Sequence, residues 1–183
     1  MRKVVASEFV SLDGVVESPE RWQLPYFDEE MGREIQAAME ESDAMLLGRV
    51  TYEEWAAFFP SQSPEEVPSV EYMNAPQKFV VSRTLEEPLE WNNSTLIKDD
   101  IAEEITTLKQ QGGKDITVHG SATLVQALMQ NDLVDRYRLL VYPVIVGKGK
   151  RLFNEGIPAT LRLLESQSFS SGVVALVYEP DRQ

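Results

Sequence analysis

The sequence contains no cysteine and a single histidine among its 183 residues. Without cysteine, disulfide bonds, thiolate metal sites and a cysteine nucleophile are excluded, and one histidine is too few for a histidine-rich metal centre. Long apolar runs are also missing: the first residues, MRKVVASEFVSLDG, do not form a secretory signal, and no stretch of about 18 apolar residues occurs. We therefore expect a cytoplasmic protein that has no metal site and no membrane partner.

Basic residues are few relative to acidic ones. Seventeen Lys and Arg stand against thirty Asp and Glu, which gives a formal net charge of −13. Such a charge opposes nonspecific binding to nucleic acid. A small anionic ligand remains compatible, because its binding depends on a few local donors and not on the overall field. We expect a small-molecule partner and no nucleic-acid partner.

Segments with strand character alternate with helical segments along the chain. Strands are predicted at about 3–11, 43–47, 77–82, 115–119, 135–142 and 172–179, with a weaker one at 161–169, and helices at about 27–41, 50–58, 100–111 and 121–130. This order predicts a three-layer α/β/α fold with a mostly parallel sheet. The last two segments flank Ser170 and Ser171 and predict an antiparallel edge hairpin. A length of 183 residues is consistent with one domain.

The segment ITVHGSATLVQAL, residues 116–128, leads from a strand through small residues directly into a helix. Because Gly120, Ser121 and Ala122 carry so little side chain, a ligand can approach the first amides of that helix. Free N–H groups and the helix macrodipole favour phosphate there. The pattern indicates a nucleotide site, although many α/β proteins make such turns with nothing bound, and that alternative stays open.

A second turn of this kind lies in AMLLGRVTYEEW, residues 44–55. Gly48 separates a strand from a helix, and Arg49 and Thr51 can add a cation and a hydroxyl to the amides at the helix start. A second turn of the same kind strengthens the case for a nucleotide site.

A third strand end carries a cluster of donors. KFVVSRT, residues 78–84, finishes in Ser82, Arg83 and Thr84. A planar guanidinium can hold a phosphate monoester through paired hydrogen bonds, which is what selection of NADPH over NADH requires. The alternative for Arg83 is a solvated charge at the end of a strand.

Five segments, in this order, resemble the dihydrofolate reductase superfamily: SLDGVVE, LLGRVTYEEW, KFVVSRT, ITVHGSATLVQAL and LLVYPVIVGKGKRLF. The resemblance is strongest to stand-alone proteins similar to the C-terminal reductase domain of bifunctional riboflavin-biosynthesis deaminase/reductases, and it spans about residues 2–178. It implies a dihydrofolate-reductase-like fold over residues 1–183, with NADPH bound across the carboxyl edge of the sheet.

The resemblance also implies roles for particular residues. It places Gly48, Arg49 and Thr51 beside the cofactor phosphates. It places Ser82, Arg83 and Thr84 around the adenosine 2′-phosphate. Under the pyrophosphate it places Gly120, Ser121, Ala122, Thr123 and Leu124. The substrate side is formed by Leu12, Gly14, Trp22, Phe27, Tyr52 and Trp55, although core packing is an equally good interpretation of these aromatic residues.

Two positions depart from the pattern of the family. Phe27 stands where dihydrofolate reductases carry the acidic pterin-binding residue, with Asp28 next to it. His119 stands where riboflavin-pathway reductases usually carry a glutamate that contacts the substrate. These departures bear on the substrate and not on the cofactor.

Three residues are candidate proton donors for a reduction: Asp13, Asp28 and His119. An acidic residue in a glycine-containing turn or in the first turn of a helix also has an ordinary structural use, so both interpretations of Asp13 and Asp28 stay open. A histidine with an ordinary pKa of about 6.5 can donate a proton near neutral pH, but it can equally serve as a hydrogen-bonded spacer.

The sequence thus predicts an NADPH-dependent reductase of a small heterocyclic or carbonyl substrate, similar to 5-amino-6-(5-phosphoribosylamino)uracil reductase of riboflavin biosynthesis. One alternative is a non-catalytic dinucleotide-binding or scaffold protein that keeps the fold. Another is a cleft that has come to hold a different ligand such as flavin. Apolar residues along the late strands are consistent with a homodimer.

Overall fold

The computed structural model describes residues 1–156 and 158–182, and within them the core is an eight-stranded sheet. The strands are β1 (Val4–Ser11), β2 (Ser42–Gly48), β3 (Gln77–Val81), β4 (Ser94–Ile97), β5 (Asp115–Val118), β6 (Arg136–Tyr142), β7 (Leu161–Ser168) and β8 (Val174–Pro180). Their order across the sheet is β4-β3-β2-β5-β1-β6-β8-β7. The first six strands are parallel, and β8 and β7 join β6 as antiparallel neighbours. The predicted mostly parallel sheet with an antiparallel edge hairpin is confirmed.

Helices cover both faces of this sheet. They are α1 (Glu29–Glu40), α2 (Arg49–Phe58), α3 (Val70–Asn74), α4 (Ile101–Gln110) and α5 (Ala122–Gln130). On one face, α4 and α5 pack against alternate residues of the central strands, such as Ala6 and Leu46. On the other face, Met45 and Leu47 pack with residues of α2 and α3, and α1 covers the strands beside them. Because strand side chains alternate between the two faces, the sheet contributes to one hydrophobic cluster on the α4 and α5 face and to two on the other face.

The central strand β1 has unequal neighbours. It pairs with β6 from Val5 to Ser11, but with β5 only from Val4 to Ala6. Because the chain leaves β5 after Val118 to start α5, the β5 side of β1 lacks a strand partner beyond Ala6 in the described part of the chain. Crevices of this kind, at the carboxyl ends of strands in open α/β sheets, are where ligands bind.

Two elements were not predicted from the sequence. The strand β4 has four residues, too few to show an alternating pattern, and it forms only at the edge of the sheet, beside β3. The five-residue helix α3 follows residues 60–69, which are rich in Pro and Ser, and it packs through Val70 and Met73. Both elements depend on tertiary contacts more than on local propensity.

The helices of residues 1–156 and 158–182 include none that is both long and apolar enough to cross a bilayer. This agrees with the lack of long apolar runs in the sequence.

Candidate functional site

The three predicted ligand-binding turns lie side by side in the fold. Strands β3, β2 and β5 are consecutive neighbours in the sheet, and all three run in the same direction. Their last residues are Val81, Gly48 and Val118, and each turn follows directly. The structure therefore brings together the residues that the sequence proposed for a dinucleotide.

The turns after β2 and β5 are in direct contact. The Gly48 N–H donates to the Gly120 carbonyl at 3.1 Å. A Cβ at Gly48 would lie 2.7 Å from the Ser121 Oγ, and one at Gly120 would lie 3.3 Å from the Thr51 Oγ1. Gly120 also has a φ of +91°, and its peptide bond to Ser121 is cis. These positions require glycine because the two backbones approach so closely.

Both helices that start at these turns leave their first amides without a side-chain cap. The N-cap residue of α2 is Gly48, which has no side chain to accept a hydrogen bond. The N-cap residue of α5 is Ser121, whose side chain accepts none from its helix. The first N–H groups of a helix need a partner from outside it. Two uncapped helix starts at one sheet edge form a suitable place for the phosphates of a dinucleotide.

The two arginines of the site differ in their present contacts. Arg49 donates to the Glu53 carboxylate one turn along α2, at 2.7 Å. Arg83 is exposed and makes neither a hydrogen bond nor an ion pair with the residues that the structure describes. Its guanidinium is thus available to an anionic ligand that lies along the ends of β2 and β3.

Ser82 is buried and shapes the turn in which Arg83 lies. Its Oγ accepts hydrogen bonds from the Thr84 and Leu85 amides, both at 3.1 Å, and it lies 3.3 Å from the Thr84 Oγ1. Ser82 therefore holds the backbone of the turn, while Arg83 and Thr84 are exposed to a ligand. In the first turn of α5, Thr123 is exposed and Ala122 and Leu124 are buried.

A cavity of about 460 Å³ lies next to these turns, between α1 and the sheet. Its floor includes Val5, Ser7, Phe9, Thr117, His119, Arg138 and Leu140, and its walls include Phe27, Ile35, Ala38, Met39, Trp55, Phe59 and Met73. The volume and the mostly apolar walls match a site for a small molecule. Of the substrate residues proposed from the sequence, Phe27 and Trp55 line this cavity.

A row of polar side chains crosses the floor of the cavity. Ser7 on β1 lies opposite Arg138 on β6 in the strand register. His119 directly follows Val118, the β5 residue opposite Ala6, and so lies beside Ser7 in the sheet. The Arg138 guanidinium donates to Glu41 at 2.9 Å, while its buried Nε finds no hydrogen-bond partner among the described residues. The floor thus offers both donors and acceptors beneath a small-molecule ligand.

His119 lies in the cavity with its ring against the indole of Trp55, at 5.6 Å between ring centroids. Loss of solvation lowers its pKa from 6.5 to about 4. The imidazole is therefore neutral at pH 7, where it can form hydrogen bonds but cannot act as a cationic acid. Its predicted role as a proton donor stays a prediction that this electrostatic setting disfavours.

Asp13 holds two loops together. Its carboxylate accepts hydrogen bonds from the Ser11 hydroxyl at 2.7 Å, the Val146 amide at 3.0 Å and the Gly147 amide at 2.9 Å. These bonds, that from Ser11 first, lower the pKa of Asp13 to about 2. The Asp13 carbonyl also accepts from Arg151 at 2.6 Å. The geometry favours the structural interpretation of Asp13 over the catalytic one.

Asp28 is the N-cap of α1. Its Oδ1 accepts from the Met31 amide at 2.8 Å, and its Oδ2 lies 3.4 Å from the Ser170 hydroxyl. This is the structural use that the sequence left open for it. Asp28 does not line the cavity, although its neighbour Phe27 does.

Four other proposed substrate residues also lie outside the cavity. Tyr52 is buried, and its hydroxyl accepts from the Trp91 amide at 3.0 Å. Trp22 packs edge-on against Tyr142, at 5.3 Å between ring centroids. Leu12 and Gly14 lie in the turn after β1, away from the cavity wall. These aromatic residues therefore have the core-packing role.

Glu8 borders the cavity, but its side chain lies on the α5 face of the sheet with Val10 and Leu139, and the sequence interpretation did not single it out. It lies on β1 in the part that β5 does not cover, and its Oε1 is buried without a hydrogen-bond partner in the described chain. Burial raises its pKa to about 8, although a hydrogen bond from the Gly120 backbone opposes the shift. The available signal was an acidic residue between Ala6 and Val10 in a strand of a mostly parallel sheet, whose two faces are usually both covered.

Comparison with known proteins agrees with this geometry. Bacillus subtilis (strain 168) has a relative, the uncharacterized protein YyaP, that is 32% identical over 97% of this chain and 94% of its own length. A candidate riboflavin biosynthesis protein from Shewanella sp. PV-4 has a similar structure, with a TM-score of 0.77, 21% identity, and coverage of 98% of this chain and 99% of the other.

A dihydrofolate reductase from Enterococcus faecalis, solved in complex with NADP(H), shares the fold with a TM-score of 0.65 and 13% identity. The similarity covers 98% of this chain and 96% of that one. The chain therefore has a dihydrofolate-reductase-like fold. The model of the RibD C-terminal domain matches residues 2–175, and the chain belongs to that family.

Proposed function

We propose that the protein is an NADPH-dependent reductase of a small heterocyclic or carbonyl substrate. The observation that carries this proposal is the contact between two uncapped helix starts, at Gly48 and Ser121, beside a cavity of about 460 Å³. One feature suits a pyrophosphate and the other suits the ring that is reduced. Membership in the RibD C-terminal domain family supports the same reaction class.

The residues of the three turns offer a binding partner for each phosphate group of NADPH. The lack of side chains at Gly48 and Gly120 lets the turns after β2 and β5 contact each other, so that the amides of α2 and α5 together would hold the pyrophosphate. Arg83 and Thr84 would bind the 2′-phosphate that distinguishes NADPH from NADH. When bound, NADPH supplies a hydride, which is the difficult chemistry of the reaction. The protein orients the substrate in the cavity and excludes water.

The charges around the cavity favour a substrate without a phosphate group. Glu8 is left out of this comparison because its raised pKa of about 8 keeps it mostly uncharged at pH 7. The other charged residues among the described lining are four carboxylates and one arginine: Glu20, Glu34, Glu41, Asp115 and Arg138. The arginine is already paired with Glu41. A phosphate dianion would meet repulsion from this wall. The substrate therefore differs in charge from the phosphoribosyl compound named for the riboflavin-pathway reductases.

Binding of NADPH and NADH to the purified protein tests the cofactor assignment. Nicotinamide fluorescence should give a lower Kd for NADPH, and Arg83→Ala should remove most of that preference, a loss of about tenfold or more for one charge-assisted phosphate contact. Arg33→Ala, which removes an exposed arginine on α1, should leave both affinities unchanged. Equal affinities for both cofactors before and after Arg83→Ala would refute the assignment.

The charge of the cavity can be tested with benzamide and benzoate, planar probes that differ in one negative charge. Benzamide should bind more tightly to the wild-type protein. Glu41→Gln leaves Arg138 unpaired and should improve benzoate binding by about tenfold, more than Glu20→Gln, which removes a cavity charge that does not contact Arg138. Equal gains in the two variants would show that Arg138 does not face the ligand.

A non-catalytic dinucleotide-binding protein is the second candidate. The observation that favours it is that Asp13 and Asp28, two of the proposed proton donors, are engaged in structural hydrogen bonds. NADPH binding without oxidation of the cofactor by any carbonyl or heterocyclic compound in a broad panel would select this alternative.

A further inference from the structure

We propose that Arg138 and Glu41 together select the substrate, by binding a neutral amide group in which a C=O lies beside an N–H. This inference rests on the proposed reductase function, and it names the chemical group that anchors the substrate in the cavity. The carbonyl oxygen of the amide accepts from the Arg138 guanidinium, and the N–H of the amide donates to the Glu41 carboxylate.

The position of Arg138 is the first argument. Arg138 and Leu140 share the face of β6 that lines the cavity, whereas Leu139 packs on the α4 and α5 face. The neighbour of Arg138 on β1 is Ser7, another residue of the cavity floor. Glu41 follows the last residue of α1 and also lines the cavity. Both members of the ion pair therefore border the space in which a ligand would lie.

The unused donors of Arg138 are the second argument. Its side chain is only 12% exposed, and its one hydrogen bond with the described residues runs from Nη2 to the Glu41 Oε2, at 2.9 Å. A guanidinium has five N–H donors. The buried Nε is among those that find no acceptor within residues 1–156 and 158–182. Buried charged groups normally have their hydrogen bonds satisfied, so these free donors on a cavity floor point to a ligand.

The third argument is what the ion pair presents to a ligand. Glu41 binds the guanidinium through Oε2, and its Oε1 meets no donor among the residues that the structure describes. The N–H groups of a guanidinium lie in one plane, so an oxygen bound to a second N–H of Arg138 lies close to this carboxylate. An amide places its own N–H there. A carboxylate would place a second negative charge there, and a ketone would place no donor.

The rest of the cavity fits a neutral molecule of this kind. Arg138 is the single cation among the described lining residues, and Glu41 already balances its charge. Ser7, whose hydroxyl makes no hydrogen bond in the described chain, offers a further donor and acceptor on the next strand. His119 lies one strand further on, next to the turn at Gly120. A substrate anchored at Arg138 therefore extends across two strand spacings, about 10 Å, to reach the proposed cofactor site.

A purely structural role for Arg138 would be to tie the end of α1 to β6. One hydrogen bond suffices for that, and a lysine can form it as well as an arginine can. Recognition of an amide needs a second donor in the plane of the first. Arg138→Lys therefore separates the two roles, because it keeps the ion pair with Glu41 and loses the planar set of donors.

Benzamide and acetophenone test the proposal without any cofactor. The two probes have nearly the same shape and the same C=O, but only benzamide has an N–H beside it. Titrations followed by the backbone amide resonances of Ser7 and His119 should give a wild-type Kd that is about tenfold lower for benzamide. In Glu41→Ala the two affinities should become equal, because the acceptor for the N–H is gone.

Three results of these titrations would overturn the proposal. They are equal affinities for the two probes in wild type, an undiminished preference for benzamide in Glu41→Ala, and failure of benzamide to bind wild type at millimolar concentration. Because the Glu41 side chain is half-exposed, its removal is compatible with folding, and these titrations decide the question even if a variant of Arg138 does not fold.

Arg138→Lys should weaken benzamide binding by about tenfold. The matched control is Arg136→Lys, the same change two residues earlier on the same face of β6, at a residue that does not line the cavity. This control should change the Kd by less than about twofold, and urea unfolding shows whether both variants are folded during the titration. Equal losses of affinity in the two variants, or no loss in either, would refute the role of Arg138.

The two proposals fail in different ways. Absence of NADPH binding in wild type refutes the reductase function, whatever the affinities for the two probes. Selective NADPH binding together with equal affinities for benzamide and acetophenone refutes the roles of Arg138 and Glu41 alone.

Discussion

The Glu8 carboxyl should make the folded protein less stable as the pH rises. Its pKa is raised from 4.5 in the unfolded chain to about 8 in the folded protein. Below the lower value both states hold the proton, and above the higher value both have released it. Between the two, only the unfolded chain releases the proton, so the free energy of unfolding falls by about 1.4 kcal/mol per pH unit. By pH 7 the free energy of unfolding has fallen by about 3 kcal/mol relative to its value below pH 4.5.

Glu8→Gln should remove this pH dependence, because an amide of the same size does not titrate. The stability of the variant relative to wild type should therefore rise by about 3 kcal/mol between about pH 4.5 and pH 7. A constant offset, set by whether the amide N–H groups find acceptors, leaves that slope unchanged. Urea unfolding followed by tryptophan fluorescence, at unit steps of pH, measures it.

The exposed control Glu90→Gln should give a curve parallel to that of wild type. If the difference between Glu8→Gln and wild type stays flat across the same range, the carboxyl is ionised in the folded protein. The raised pKa of Glu8 in the folded protein would then be refuted.

Two further substitutions separate structural from functional roles. His119→Gln should raise the relative stability at low pH, because the folded pKa of about 4 lies below the ordinary 6.5 and the unfolded chain alone takes up a proton between those values; urea unfolding from about pH 7 down to pH 4 checks this. Asp13→Asn should weaken the hold on residues 146–151 and raise the amide exchange rates of Val146 and Gly147, with NADPH affinity unchanged. Unaltered exchange at those two amides would contradict the structural interpretation of Asp13.

The meeting of the three turns that follow β2, β3 and β5 was predictable because it depends on the backbone. Glycines and small residues at the ends of β2 and β5 can be recognised from the sequence alone, since each marks a strand-to-helix turn. The parallel sheet then brings the turns together without further information. Arg83 could be proposed because it lies just after β3, three residues beyond Val80, the last buried residue of that strand.

The substrate side was less predictable because it depends on which way side chains face. Tyr52 and Trp55 are three residues apart on α2, and both suit a ring-binding wall or a core. The structure places Trp55 at the cavity and Tyr52 beneath Trp91. Helical spacing shows which residues share a face of α2, but it does not show what that face contacts. The contacts are determined only by the packing of α1 and α2 on the sheet.

Glu8 shows how a local rule fails at a buried position. An alternating strand with one acid reads as a half-exposed strand, whereas β1 is covered on both faces and the acid is buried. A protein gains nothing in stability from such a group, since burial without a counter-charge favours the proton over the charge. Its presence beside the backbone of Gly120 therefore calls for a reason other than folding.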